Sequence, residues 1–171
     1  MRTKKTAQLT SLYGMLIALS LVLSFVESLI PISLGIPGVK LGLANLVTVV
    51  GLYTVGIGGT VVVSLLRIVL VGFTFGNLFA MFYSLGGWAL SLLVMVMSRK
   101  GKWFGTTGTS ILGGICHNIG QLCVAAIVVR QAGVFFYLPV LLPAGTAAGL
   151  VIGILGGMIV NRIGSFIKKL H

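Results

Sequence analysis

Long apolar blocks divide the chain, each broken by Pro, Gly or a short basic cluster. The hydrocarbon core of a bilayer is about 30 Å thick, so a spanning helix needs about 20 mostly apolar residues. On that measure the pattern predicts six helices, at about residues 9–30, 39–55, 59–73, 76–97, 107–130 and 135–160, in a single domain covering 1–171. The first block stops at Pro31 and is followed by the loop PISLGIPG; the second ends at GIGG, residues 56–59. The third is short for a full crossing and requires help from its neighbours or a thinned bilayer. Runs such as LSLLVMVM do not alternate polar and apolar residues, which argues against β-barrel strands. The expected fold is an all-α integral membrane protein, a bundle of six transmembrane helices. The first block also admits a secretory-signal reading, because Arg2, Lys4 and Lys5 precede it, but it is too long and lacks a small-x-small cleavage site before Pro31.

Composition agrees with a bilayer setting. Of 171 residues, 57% are hydrophobic and 8% charged, against about a quarter charged in soluble domains. The mean hydropathy is +1.17. Twelve Lys/Arg stand against one Glu and no Asp, for a net charge of +11. Nucleic-acid binding needs a basic soluble face, and here the basic residues sit in short clusters between apolar runs. They report topology instead. With six crossings, Arg2, Lys4, Lys5, Arg99, Lys100, Lys102, Arg162, Lys168 and Lys169 share one side, while Lys40 and Arg130 take the other. Both termini are therefore expected in the cytoplasm, with Trp103 as an interface anchor. The missing aspartates exclude Mg²⁺ held on carboxylate pairs and acid–base chemistry by two carboxylates. No metal site or cofactor is expected, and no GxxxxGK[ST] motif is present to hydrolyse ATP.

Glycine spacing suggests how the helices meet. Gly145, Gly149, Gly153 and Gly157 form a smooth stripe on the sixth segment, suited to bundle packing or to a groove open to lipid. Gly76, Ala80 and Ser84 make a weaker stripe on the fourth. Gly14 and Ala18, near the cytoplasmic end of the first, suit internal packing or the docking of a partner subunit. Cys116 and Cys123 are about 10 Å apart along one helix, too far for a bridge.

Ionisable and amide side chains at membrane depth are functional candidates. Glu27 lies about 27 Å from the cytoplasmic start of its helix, at 1.5 Å per residue. Lys40, Asn45, Asn77 and Arg130 fall at the same outer face, with Gln121 in the outer half. Arg67, His117 and Asn118 fall near the midplane. Residues 117, 118 and 121 share one side of their helix. These groups gather in the outer half, above an inner half that reads as nearly all apolar. That distribution suits an outward-open cavity with a closed floor better than a through-channel. With Lys40, Arg67 and Arg130 against one Glu, the cavity is expected to be net positive and to bind an anionic or strongly polar small molecule. Phe73, Phe75, Phe79, Phe135, Phe136 or Tyr137 would hold an apolar body. A purely structural reading of the same residues pairs Arg67 with Glu27 and has Asn118 bond a neighbouring helix.

The stretch IPGVKLGLANLVTVVGLY (Ile36 to Tyr53), the intramembrane Arg67, the run ICHNIGQL (Ile115 to Leu122) and the glycine-rich last helix resemble a bacterial membrane family. It is known both as the Gx transporter family and as heptaprenyl diphosphate synthase component I. Prenyl synthases hold Mg²⁺–diphosphate on aspartate-rich motifs, which are absent here, so the second name implies an accessory membrane partner binding a lipid diphosphate. The six-helix layout with both termini inside is also similar to the substrate-binding S components of energy-coupling factor (ECF) transporters. That resemblance implies a non-enzymatic subunit of the bacterial cytoplasmic membrane that captures a small, vitamin-like molecule from outside. It implies docking through Gly14 and Ala18, where the usual pattern is Ala-x-x-x-Ala, onto a transmembrane coupling subunit driven by ATPases. PISLGIPG would be the gate. An independent secondary transporter fits less well, since Glu27 lies far from the midplane and no inverted repeat is evident.

Overall fold

The computed structural model describes residues 2–29 and 42–167, with side chains for 7–29 and 42–164. Among them every regular element is helical: α1 (Arg2–Leu29), α2 (Asn45–Thr54), α3 (Gly56–Thr74), α4 (Leu78–Gly101), α5 (Thr106–Val129), a short 3₁₀ segment (Ala132–Tyr137) and α6 (Leu138–Ile167). Local chemistry sets the breaks. Gly42 (φ +77°) turns the chain into α2, and Gly56 (φ +81°) separates α2 from α3; both backbones favour a residue without Cβ. The Asn77 side chain caps α4 by accepting from the Ala80 N–H at 2.8 Å. Lys102 and Arg130 close α4 and α5 in the left-handed conformation.

Five helices are long and apolar enough to cross a membrane, and large apolar side chains such as Phe73, Ile127 and Phe136 face outward. In water such a surface would aggregate; against lipid it is ordinary. The chain is a multi-pass membrane protein. The second expected crossing, 39–55, is not a helix of spanning length: α2 has ten residues, about 15 Å of helix. The gate sequence PISLGIPG and residues 39–41 lie outside the described residues.

Helices α2 to α6 form a closed ring in which each packs on the next and α6 returns to α2, while α1 lies against α3 and α2. The apolar core joins Val49 and Leu52 of α2 to Met95 and Ile152. A second cluster joins Leu16 of α1 to Val47 and Val63. The tightest seams are glycine on glycine. A Cβ at Gly120 of α5 would stand 2.4 Å from the Gly86 carbonyl oxygen of α4, and one at Gly114 2.4 Å from the Gly145 oxygen of α6. The α6 stripe is thus internal packing: Cβ atoms at Gly149 and Gly153 would meet the backbone of Ile111 and Thr107 at 2.7 and 2.6 Å. It leaves no groove for lipid along that face, because α5 fills it.

The end of the bundle that holds the chain turn after α4 is more polar than expected. Arg99 donates to the Leu52 carbonyl and lies over the Tyr53 ring, 5.2 Å from its centroid. Tyr53 donates to Thr109 at 3.2 Å, and Thr109 meets Ser98 at 3.0 Å. A residue counted for topology, Arg99, therefore ties the end of α2 to α4.

Candidate functional site

At the opposite end, a polar recess lies between α1, the start of α2, α3, α4 and α5. Helix α2 is what makes room for it. Being short, it begins at the level of Arg67 and His117, near the middles of α3 and α5, instead of continuing along the bundle. Non-helical backbone at such depth is tolerated where it lines a cavity, and Gly42 does so.

Five of the sequence candidates meet there: Glu27, Asn45, Arg67, His117 and Gln121. Arg67 and His117 are each 9% exposed and Glu27 is 7% exposed. The Glu27 carboxylate accepts a hydrogen bond from the Gly42 N–H, so the end of α1 holds the turn that begins α2. Its charge also attracts that of Arg67. Nε of Arg67 and Nδ1 of His117 are buried without a hydrogen-bond partner. Buried polar atoms are paired in the great majority of cases, so two exceptions in one cavity are its most distinctive chemical feature. The His117 ring packs against α4 so closely that a Cβ at Gly87 would come within 2.9 Å of its Cε1.

The rest of the wall is small or aliphatic. Ala80 and Ser84 of α4, and Gly76 just before its cap, line the cavity, and Gly76 also lies on α3, where a Cβ would stand 2.9 Å from the Val71 carbonyl oxygen. Gly72 beside Met81, with Ile68 and Val71, completes it. The expected aromatic cradle is absent from this lining. Phe73, Phe79 and Phe136 face outward, while Phe75 stacks edge-on against Phe25 with ring centroids 5.6 Å apart. Ser24 and Ser84 line the cavity without having stood out, since a lone serine in an apolar run carries little signal.

Three of the described candidates are not in the lining. Asn77 is the cap of α4. Arg130, at the end of α5, is exposed. Asn118, one residue and so about 100° round the helix from His117, donates through Nδ2 to the Leu141 carbonyl of α6 at 2.8 Å. Lys40 lies outside the described residues. Among the described lining residues the charged groups are Arg67 and Glu27. Gly14 and Ala18 are exposed on α1, and a Cβ at Gly14 would meet nothing.

Asn118→Ala gives a control. Losing one neutral interhelical hydrogen bond is expected to cost about 1 kcal/mol of stability, seen as a lower unfolding temperature in detergent, with any ligand binding in the cavity unchanged.

A family model described as heptaprenyl diphosphate synthase component I matches residues 16–159. No curated protein and no solved structure matches the chain.

Proposed function

The chain belongs to the heptaprenyl diphosphate synthase component I family, and we propose that it is a non-catalytic membrane subunit that binds a small polar molecule in the cavity between α1 and α5. The observation that carries this reading is one recess lined by Arg67 and His117, each holding a buried nitrogen without a hydrogen-bond partner. Leaving such atoms dry costs about 1–3 kcal/mol each; a bound molecule would recover that cost. Glu27, Asn45 and Gln121 supply further polar contacts around it.

In this reading the protein serves uptake, as an S component of an ECF-type transporter does. The chain has six crossings, α2 belonging to the second, both termini lie in the cytoplasm, and the cavity mouth faces outward. Energy comes from partner ATPase subunits through a transmembrane coupling subunit, which docks on the exposed small-residue patch of Gly14 and Ala18. Copurification from the native membrane tests this. ATPase subunits should accompany the wild type, and Gly14→Leu with Ala18→Leu should reduce both their recovery and uptake by at least tenfold. Uptake by the chain alone in liposomes without ATP would overturn it.

The family description supports a second reading, a membrane partner of a prenyl diphosphate synthase that binds a lipid diphosphate. The α6 glycine face, which would have been its lipid groove, is occupied by α5. Recovery of a soluble synthase and no ATPase in the same experiment would favour it.

A further inference from the structure

The turn between α4 and α5 presents two cations and two aromatic rings on a fixed backbone. Lys102 N–H donates to the Arg99 carbonyl at 3.3 Å and Trp103 N–H to the Ser98 carbonyl at 3.2 Å, the pair of bonds that closes a helix on a left-handed residue. The Trp103 indole lies on Gly101, where a Cβ would come 2.6 Å from its Nε1. Phe104 lies on Gly108 of α5, where a Cβ would come 2.7 Å from its own. Both rings still stand out, Trp103 64% and Phe104 53% exposed. Lys100 and Lys102 are exposed beside them, whereas Arg99 is turned inward to the Leu52 carbonyl. A third exposed cation, Arg162, lies at the same end. A Cβ at Gly157 of α6 would stand 3.8 Å from Thr106 at the start of α5, and Arg162 follows about 7.5 Å farther along α6.

Depth places this turn among lipid headgroups. Helices α4 and α5 have 24 residues each, about 36 Å of helix, against a hydrocarbon core of about 30 Å. Their ends therefore project into the interfacial layer, where Trp side chains anchor. The other end of α5 also exposes aromatic rings, Phe136 and Tyr137. Among the described residues it has one exposed cation, Arg130.

We propose that the α4–α5 turn binds the phosphate of an anionic phospholipid, held by Lys100 and Lys102 while Trp103 and Phe104 fix the turn at the membrane surface. The rings keep both ammonium groups in the layer where lipid phosphates already lie, so a lipid is the occupant and not an anion from solution. A zwitterionic headgroup brings its own cation and gains little from the lysines. Each Lys near a membrane surface adds about a fivefold preference for anionic lipid. This site is separate from the recess and does not depend on what binds there.

Tryptophan quenching tests the site. The chain has two Trp, so Trp88→Phe leaves Trp103 as the reporter. The full chain is reconstituted in phosphatidylcholine vesicles doped with brominated phosphatidylglycerol or brominated phosphatidylcholine of matched acyl chains. Phosphatidylglycerol should bind beside Trp103 at least tenfold more tightly, and Lys100→Gln with Lys102→Gln should shrink that preference at least fivefold. Moving the reporter to the other end, by Trp103→Phe with Phe136→Trp, should give a preference at least threefold smaller. Equal quenching by the two lipids at Trp103, or a preference unchanged by the lysine substitutions, overturns the site. An equal preference at both ends overturns its assignment to this turn. Loss of the preference in excess inorganic phosphate at constant ionic strength overturns the lipid as occupant. Native mass spectrometry of the chain with both Trp present supplies the same comparison if Trp88→Phe fails to fold: retained phosphatidylglycerol should fall at least fivefold with the lysine pair, and unchanged retention overturns the site.

Discussion

A leucine at Gly120 should leave no folded protein to purify. The Cβ alone would sit 2.4 Å from the Gly86 carbonyl oxygen and 2.9 Å from the Gly87 Cα, both backbone atoms of α4. A flexible side chain can rotate away from such a clash; a helix backbone cannot. Overpacking where side chains can adjust costs about 1–3 kcal/mol. Gly120→Ala should reach the top of that range, about 3 kcal/mol, and the larger side chain should exceed what a marginally stable fold tolerates. The seam is also shared. Gly114 of the same helix meets α6 as closely on its other side, so α5 cannot back away from α4 without driving into α6. Gly58→Ala is the matched comparison: its Cβ would meet nothing, and removing a helical glycine should stabilise by about 0.5–1 kcal/mol. Unfolding temperatures in one detergent separate the two outcomes, and an intact Gly120→Leu bundle would refute the packing account.

Arg67→Gln should lower ligand retention by at least about 100-fold, the scale expected when a buried charged hydrogen-bonding partner is removed. The substitution also removes a cation whose charge attracts that of Glu27, so it should lower stability as well as binding. Stability and binding can be separated. Arg67→Gln combined with Glu27→Gln removes both charges and should recover most of the lost stability, while binding stays abolished because the guanidinium is gone. If binding returns with stability, Arg67 serves the fold alone.

The long spans were legible because lipid imposes one rule on every residue of a segment, and the runs around α1, α3, α4, α5 and α6 obey it. The second span was not, because an apolar run has the same hydropathy whether all of it is helical or only 45–54. What ends the helix at Asn45 is the turn at Gly42 and its bond to Glu27, a contact across fifteen residues. Depth placed Glu27, Arg67, His117 and Gln121 together correctly, since helix rise converts position into height. Direction was harder. His117 and Asn118 lie at nearly one height but address different neighbours, and only the packing of α5 between α4 and α6 decides which. The stripe of Gly76, Ala80 and Ser84 shows the same limit, for spacing marks a smooth face without saying whether a helix or a cavity lies against it. Arg130 was counted with the cavity by height alone, and the end of α5 carries it to the surface.

That α2 begins at the level of Arg67 and His117 has an electrical consequence. In a polarised membrane, voltage falls mainly across the dry part of a protein, and here a polar recess already penetrates to mid-depth. The field is concentrated over the remaining half, between the cavity floor and the cluster around Arg99 and Tyr53. A charged passenger crossing that half would exchange about 2.3 kcal/mol per elementary charge for each 100 mV traversed, whereas a neutral one would exchange none and would not respond to membrane potential.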